Sequence, residues 1–538
     1  MKDYTKKQRT LIILGVAVFI LIGSGLTYAG LMWATSNPIN IGLTSGCFEI
    51  NYTPGGAINN ANVEVMNEST LINGSKFIIT EGIALTYANI GIKSTCSIEG
   101  YGSLYLNVTS LSNAFSTGSS KGSLKYAILN NTSSSTTLTV AGLSGQSFDI
   151  VKKGTITATG TTEILKKQLS NSTQNKYLIV FYIDGSLIGN DVIGSTFAGN
   201  ISADAHQGTA PVNTVELLTD LYTNATKTTA TLDSVTYNLA SSVGLMNDRE
   251  GSSSVGADAG NIRYYGANPN NYIYFNCSDY KNQSSSTCET WRIIGIVDGK
   301  MKIIRGSQIG SYSWDTSDSS TNSGYGVNEW SQADLMKLLN SGYDSESVGG
   351  SLYWNAKSGT CYNVSSNATT SCNFTSTGLK NDTTRNMIAE TTYYTRGHNS
   401  SSIFVGAMYD KERVSGTVVS ATPTRTLTWT GKVAVAYPSD YGYAADLSLC
   451  QKQLGSYNDA TCTANNWMKN IMAPNYGWLL TPNSGYAYNA WYVNSSGNVD
   501  YGDSAYSANG VAPVLSLTSE LDIGSGSGTS SSPYQLSV

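Results

Sequence analysis

Histidine is nearly missing from this chain, with His206 and His398 the only two in 538 residues. Neither a CxxC nor a CxxH spacing occurs, so the sequence offers no zinc-ligating pattern. Charge is scarce as well. Asp, Glu, Lys and Arg make up 13% of the chain, and the net charge is −5. That leaves no basic field for nucleic acid. The string HExxH and a phosphate-binding glycine loop are absent. After the first thirty or so residues no second long apolar run follows, so one membrane span is the most the chain can hold. No LPxTG-like sorting signal stands near the C-terminus.

What fills the space is Ser, Thr, Asn, Gly and Tyr, with 35 tyrosines. Such a composition alone suggests disorder, but repeated apolar strands and nine tryptophans argue for packed cores. Many Asn-X-Ser/Thr sequons occur, Asn51-Tyr52-Thr53 among them. In so Asn- and Thr-rich a chain they arise by chance, and they matter only in a host that glycosylates.

The eight cysteines form four neighbouring pairs: Cys47 with Cys96, Cys277 with Cys288, Cys361 with Cys372, and Cys450 with Cys462. Spacing alone does not prove connectivity. The last three pairs enclose short polar loops, which favours local staples. Staples of this kind persist only in an oxidising compartment. Each contributes roughly 2–3 kcal/mol if unstrained.

Lys2, Lys6, Lys7 and Arg9 precede the uncharged residues 11–33. That run is long enough for a hydrocarbon core of about 30 Å, and the flanking charge places the N-terminus inside. We read residues 1–36 as a cytoplasmic tip and uncleaved anchor. The competing reading is a cleaved signal peptide, with Thr27-Tyr28-Ala29 as its cleavage site. Both readings export the remainder, as a single-pass membrane protein with an extracellular C-terminus or as a secreted one.

Residues 37–206 carry β signals. Residues 177–183 read as a buried strand, Asp184-Gly185 as a hairpin turn into 186–188, and 102–108 and 136–140 as half-exposed strands. Cys47 and Cys96 would tie early strands together. An all-β sandwich of immunoglobulin or jelly-roll type is expected. Residues 207–259 read as a junction holding a short helix over 214–222. From residue 260 the aromatic content rises, with eight of the nine tryptophans beyond that point. There Trp291 to Val297, the turn Asp298-Gly299 and 300–305 read as a hairpin. Ser331 to Asp334 reads as a capping box opening a helix on Leu335, Leu338 and Leu339. A second helix is expected over 381–390, and the Gly/Ser run 524–532 reads as a tail.

The series WRIIGI, WLLTP, AWYVNSSGNV and GVAPVLSL, with VAVAYPSDYGYAAD and the closing PYQLSV, resembles a domain of uncharacterised surface proteins of gut Gram-positive bacteria. That domain looks like the C-type-lectin-like fold shared with sulfatase-modifying-factor proteins. The resemblance covers residues 260–538 and implies an α+β C-type-lectin-like, disulfide-stapled domain. Such domains often carry Arg where Ala512 stands here. Formylglycine-generating relatives use a pair of reactive, copper-binding cysteines. Cys361, Cys372, Cys450 and Cys462 fit structural bridges better. Calcium-dependent lectin strings (Glu-Pro-Asn, Gln-Pro-Asp, Trp-Asn-Asp) do not occur. Asp500 and Asp503 are the only hint of calcium, and two solvated carboxylates explain them as well. No cofactor is expected.

His398 lies in a loop composition and reads as surface rather than as a general base. Asp440 and Asp446 show no spacing that demands acid/base work. The best candidate binding surface is Tyr486, Tyr488, Tyr501 and Tyr506, set among Asn, Ser and Gly as in antibody binding loops. Trp478 and Trp491 read as core. The expected function is binding and adhesion at the cell surface, to a glycan or an extracellular protein, through the C-terminal domain, with the membrane as a further partner. The alternatives are a structural matrix or pilus-like role and, less favoured, a formylglycine-generating oxidase.

Overall fold

The computed structural model describes residues 48–538 apart from 59–62, 95–99, 132–137, 171–172, 208–209, 251–253, 256–257, 317–323, 364–368 and 520. The chain divides into two compact units at Ala210/Pro211. Among the described residues strand accounts for 41% and helix for 16%.

In the first unit one sheet is ordered Phe48–Pro54, Ala84–Ser94, Gln174–Asp184, Leu124–Asn130, Ser147–Thr155, Lys76–Ile78, Ile72–Asn73. A second sheet holds Phe197–Gln207, Gly100–Leu111 and Gly160–Leu169. Alternation explains the packing. Tyr177, Ile179, Phe181 and Ile183 enter the core shared by the two sheets. Leu178, Val180 and Tyr182 enter a smaller core on the other face of their strand. A strand buried on both faces reads as a continuous apolar run, as this one does. The hairpin expected after it does not form. Asp184 accepts a hydrogen bond from the Ser186 amide and caps a 3₁₀ turn over Gly185–Leu187, so 186–188 is not a return strand. Likewise, Val140–Leu143 is a helical turn capped by the Thr139 side chain, and no strand crosses 138–140.

The second unit is built on a nine-stranded sheet, with its main path Thr228–Leu232, Val235–Ala240, Leu245–Asn247, Ile262–Tyr264, Glu289–Val297, Lys300–Arg305, Val514–Ser516, Val433–Ala434. The ninth strand, Tyr272–Phe275, pairs with Glu289–Val297. Ile293 and Ile303 face one core, and Ile294 and Ile304 face the other. Asp298 and Gly299 both adopt positive φ in the expected turn. Gly295 is required by close approach, since a Cβ there would lie 2.1 Å from the Ile262 carbonyl oxygen. A five-stranded sheet completes the unit: Ser311–Ser313, Ala508–Gly510, Gly477–Pro482, Asn489–Val493, Val499–Ser504.

Several expectations need correction. Residues 211–259 belong to the second unit and do not form a junction. The helix Thr214–Asn224 buries Leu218 and Tyr222, and three strands of this segment extend the large sheet. The presumed tail is structured too. Asp522–Ser525 pairs with both Val212–Asn213 and Gln535–Ser537, with Ile523, Tyr534 and Leu536 in the core. No side-chain capping box opens Asp334–Leu339, because the Asp334 carboxylate instead accepts from the Thr316 amide and hydroxyl. That helix ends after six residues, where the Asn340 side chain turns to the backbone of Val433.

The expected class, a transmembrane helix followed by a sandwich and an α+β C-type-lectin-like domain, is therefore overturned; only its all-β sandwich part is consistent with the structure. Apart from Thr214–Asn224 and Val405–Asp410, which continues as a π-helix over Lys411–Ser415, helices of the second unit are no longer than six residues among those described, and sheet carries the fold. Local helix signals here are start signals without the length to propagate. Among the described residues no helix is long and apolar enough to cross a membrane. The anchor expected over 1–36 lies outside the described residues. Single-pass membrane placement is unsupported and is withdrawn.

Three disulfides are formed: Cys277–Cys288, Cys361–Cys372 and Cys450–Cys462. The second of these cross-links the hairpin Ser358–Tyr362/Thr369–Asn373. Cys47 and Cys96 lie outside the described residues.

Candidate functional site

Three of the four predicted tyrosines meet on the surface of the second unit, and a fourth joins them from far away in the sequence. Tyr486 and Tyr488 have ring centroids 5.9 Å apart. Tyr488 lies 5.4 Å from Tyr325, and Tyr325 stacks on Tyr506 at 5.1 Å. Tyr325 and Tyr486 are 40% and 54% exposed, and the other two are half-buried. Tyr501 goes elsewhere, packing at 5.6 Å on the buried Trp491. Sequence reasoning missed Tyr325 because nothing local marks it. The backbone bonds from the Tyr506 amide to the Tyr325 carbonyl (3.2 Å) and from the Asn328 amide to the Ala487 carbonyl (2.9 Å) help bring the segments together.

A buried polar hub holds these loops. The Asn328 side-chain amide donates to the carbonyls of Tyr486 (2.8 Å), Asn489 (2.8 Å) and Asn483 (3.1 Å). Its oxygen accepts from Arg425 Nε at 2.8 Å, while Arg425 Nη2 donates to the Ala487 carbonyl at 2.7 Å. Asn328 and Arg425 are both buried. The Ala505 amide donates to the Tyr488 carbonyl at 2.7 Å. Buried, satisfied networks of this kind rigidify what they touch. The tyrosines therefore sit on a fixed base.

The other candidates are structural in their contacts. Trp478 and Trp491 are fully buried, and so is Ala512. Trp491 Nε1 donates to the His398 carbonyl, and the His398 ring lies over the Trp491 ring. Burial pushes the His398 imidazole down, with Lys411 adding to the effect. His206 stacks on Tyr101 beside Asp204. Asp503 accepts from Ser504, Ser507 and Asn509, and Asp500 from the Tyr501 amide. Among the described residues no group of three or more His, Cys, Asp or Glu side chains is placed to hold a metal ion.

Asp440 and Asp446 do not come together as an acid/base pair. Asp446 accepts from Ser448. Asp440 is at the centre of a buried ion cluster, 2.8 Å from Arg263 Nη1 and 2.5 Å from Lys302 Nζ. Asp248 holds Arg263 Nε at 2.6 Å. Nearby, Glu412 pairs with Arg413 at 2.7 Å and accepts from the Ser439 amide. The Arg413 guanidinium lies 3.7 Å from the Tyr409 ring centroid. This cluster joins Val405–Asp410 and Pro438–Tyr443 to the large sheet.

At its edge, burial pushes the Glu250 carboxyl up to about 7, against the hydrogen bond from Tyr443. Because the folded value lies above the unfolded one, the folded state holds the proton more tightly. The Glu250 contribution to stability is thus full below its ordinary value of 4.5 and is lost as pH rises through about 7. Denaturant midpoints measured between pH 4.5 and 7.5 should show this decline, and Glu250→Gln should flatten it.

A separate cleft of about 570 Å³ opens beside Glu289–Val297, lined among others by Tyr272, Glu289, Arg292, Arg305, Trp467 and Asn470. Sequence reading took Arg292 only as part of a core strand.

No family model matches the chain, and no curated protein matches it.

Proposed function

We propose that this is an exported binding protein that holds a glycan on the surface made by Tyr325, Tyr486, Tyr488 and Tyr506. The observation that carries the reading is the unbroken run of ring contacts among these four, seated on the Asn328–Arg425 hub. Tyrosine offers a broad apolar face and a hydroxyl at small entropic cost. A rigid base removes most of the ordering cost of binding. Export is supported by the three disulfides of the second unit, which need an oxidising compartment.

The test is binding of the full chain to immobilised glycans and extracellular-matrix proteins, with and without calcium. A saturable glycan signal is expected, insensitive to chelator. Tyr325→Ala and Tyr486→Ala should each weaken it by about tenfold, a loss of about 1.4 kcal/mol. If all four tyrosines tolerate alanine with unchanged affinity, this surface is not the site. A signal confined to protein spots and lost in the same variants would keep the surface and change the ligand class.

A further inference from the structure

We propose that the cleft around Arg292 is a second binding site, selective for the carboxylate of an acidic saccharide. The cleft shares no residue with the tyrosine surface, so the two stand or fall separately.

Arg292 is a buried charge with no counter-ion among the described residues. Arg292 is 7% exposed. Its Nε donates to Asn271 Oδ1 at 2.5 Å, and its Nη2 makes only long contacts of 3.4 Å, to Asn268 Oδ1 and the Pro269 carbonyl. Among the described residues Nη1 has no protein partner, yet it is not sealed from solvent. Among the described residues no carboxylate pairs with this guanidinium. The one in the cleft, Glu289, is held by Arg305 through two bonds, 3.0 and 3.2 Å, and by Trp291 Nε1 at 3.0 Å. The other buried arginines of this unit differ. Arg263 and Arg413 have carboxylates. Arg425 has an acceptor on each of its three nitrogens. Buried charges are ordinarily paired, so Arg292 has a vacancy for an anion.

The guanidinium is also held in place. Its carbon lies 3.7 Å from the Tyr272 ring centroid and 5.0 Å from that of Trp467, and Trp467 is fixed by its Nε1 bond to the Tyr264 carbonyl. Stacking of this kind orients a planar fork toward a planar carboxylate. Burial pushes Arg292 down to about 10, which still leaves it charged at neutral pH.

The cleft is far larger than one carboxylate and lies within the size range of small-molecule sites. Beside the Glu289–Arg305 ion pair, its polar lining includes Asn268, Thr290, Ser307 and Asn470, all neutral. Amides and hydroxyls around one cation that has no carboxylate, Arg292, suit a ring bearing several hydroxyls and one carboxylate.

The experiment is calorimetric titration of the full chain with trigalacturonate and with the same trisaccharide after carboxyl reduction. The acidic form should bind saturably, and the neutral form at least tenfold more weakly. Arg292→Gln should lose at least tenfold in affinity, and Arg292→Lys should recover only part of it. Asn470→Trp fills the rim from an exposed position that makes no hydrogen bond to Arg292. It should abolish binding with an unchanged melting temperature, and it decides the matter if Arg292→Gln does not fold. Tyr325→Ala should leave this binding intact. The proposal is overturned if neither trisaccharide binds or if both bind alike. Undiminished binding in folded Asn470→Trp overturns it as well. Tighter binding of tri-aspartate than of trigalacturonate overturns the saccharide class.

Discussion

Asp440→Ala should cost the second unit about 3–5 kcal/mol, the loss typical of breaking a buried ion pair from one side. Asp440 is fully buried and has two cations within 2.8 Å. Removing it leaves Lys302 with no carboxylate and Arg263 with Asp248 alone, in a site where Arg263 Nη2 already has no partner. Water cannot easily take over, because Tyr409, Tyr437 and Tyr443 wall the cluster. Denaturant unfolding followed by tryptophan fluorescence measures the loss. Pairing the change with Lys302→Met should restore part of it, since that removes the orphaned charge. A loss below about 1 kcal/mol would mean the cluster is solvated. The pH dependence has a definite sign. Burial alone would raise the Asp440 carboxyl, but Lys302 and Arg263 hold it well below the usual carboxylate range. Its contribution is therefore complete above the unfolded value and lost only as pH falls through the lower folded one. Between pH 5 and 8 the Asp440 carboxylate of the native chain should add no pH dependence of its own.

Asn328→Ala is expected to have the next largest effect, about 2–4 kcal/mol from several buried groups left unsatisfied. The carbonyls of Tyr486 and Asn483 lose this donor, that of Asn489 keeps only the Asn483 amide, and Arg425 Nε loses its acceptor. Because those carbonyls belong to 483–489, the damage should be concentrated there. Amide hydrogen exchange should quicken across 483–489, with the large sheet unchanged. Glycan binding should fall at least as far as in Tyr486→Ala, although Asn328 touches no ligand in the proposed arrangement. Asn328→Asp should not rescue, since a carboxylate pairs with Arg425 but cannot donate to carbonyls. Uniform protection across the loop in Asn328→Ala would show that the hub does not position the tyrosines.

How legible these sites were differs by residue, for physical reasons. The hairpin at Asp298-Gly299 was plain because its signal is local: two residues at positive φ between two apolar runs. The local staple Cys450–Cys462 was equally plain, and so was the burial of Trp478 and Trp491. Tyr486 and Tyr488 could be picked from composition. Tyr325 could not, because its ring partners Tyr488 and Tyr506 lie far onward in the sequence. Arg292 was hidden for the opposite reason. It sits inside a run that spells a core strand, and its stacking on Tyr272 and Trp467 exists only across strands and loops.

Helix content was over-read for a related reason. Caps and short apolar spacings at 331–339 and 381–390 announce a start, but they say nothing of how soon a neighbouring strand captures the chain. The Gly/Ser run at 524–532 was under-read because its flanks, Ile523 and Tyr534, find their core only after Val212–Asn213 arrives from more than 300 residues earlier.

What the sequence determined by itself is whatever depends on near neighbours: alternation within strands, the tight turns, the short disulfide loops and the burial of large apolar side chains. Tertiary structure decided which distant polar groups share one space: Asn328 beneath the tyrosine loops, Asp440 between Arg263 and Lys302, Arg292 without a carboxylate. Apolar burial is non-directional and can be read from composition and period. Hydrogen bonds and ion pairs need atoms placed within about 3 Å, and only the folded chain sets that distance.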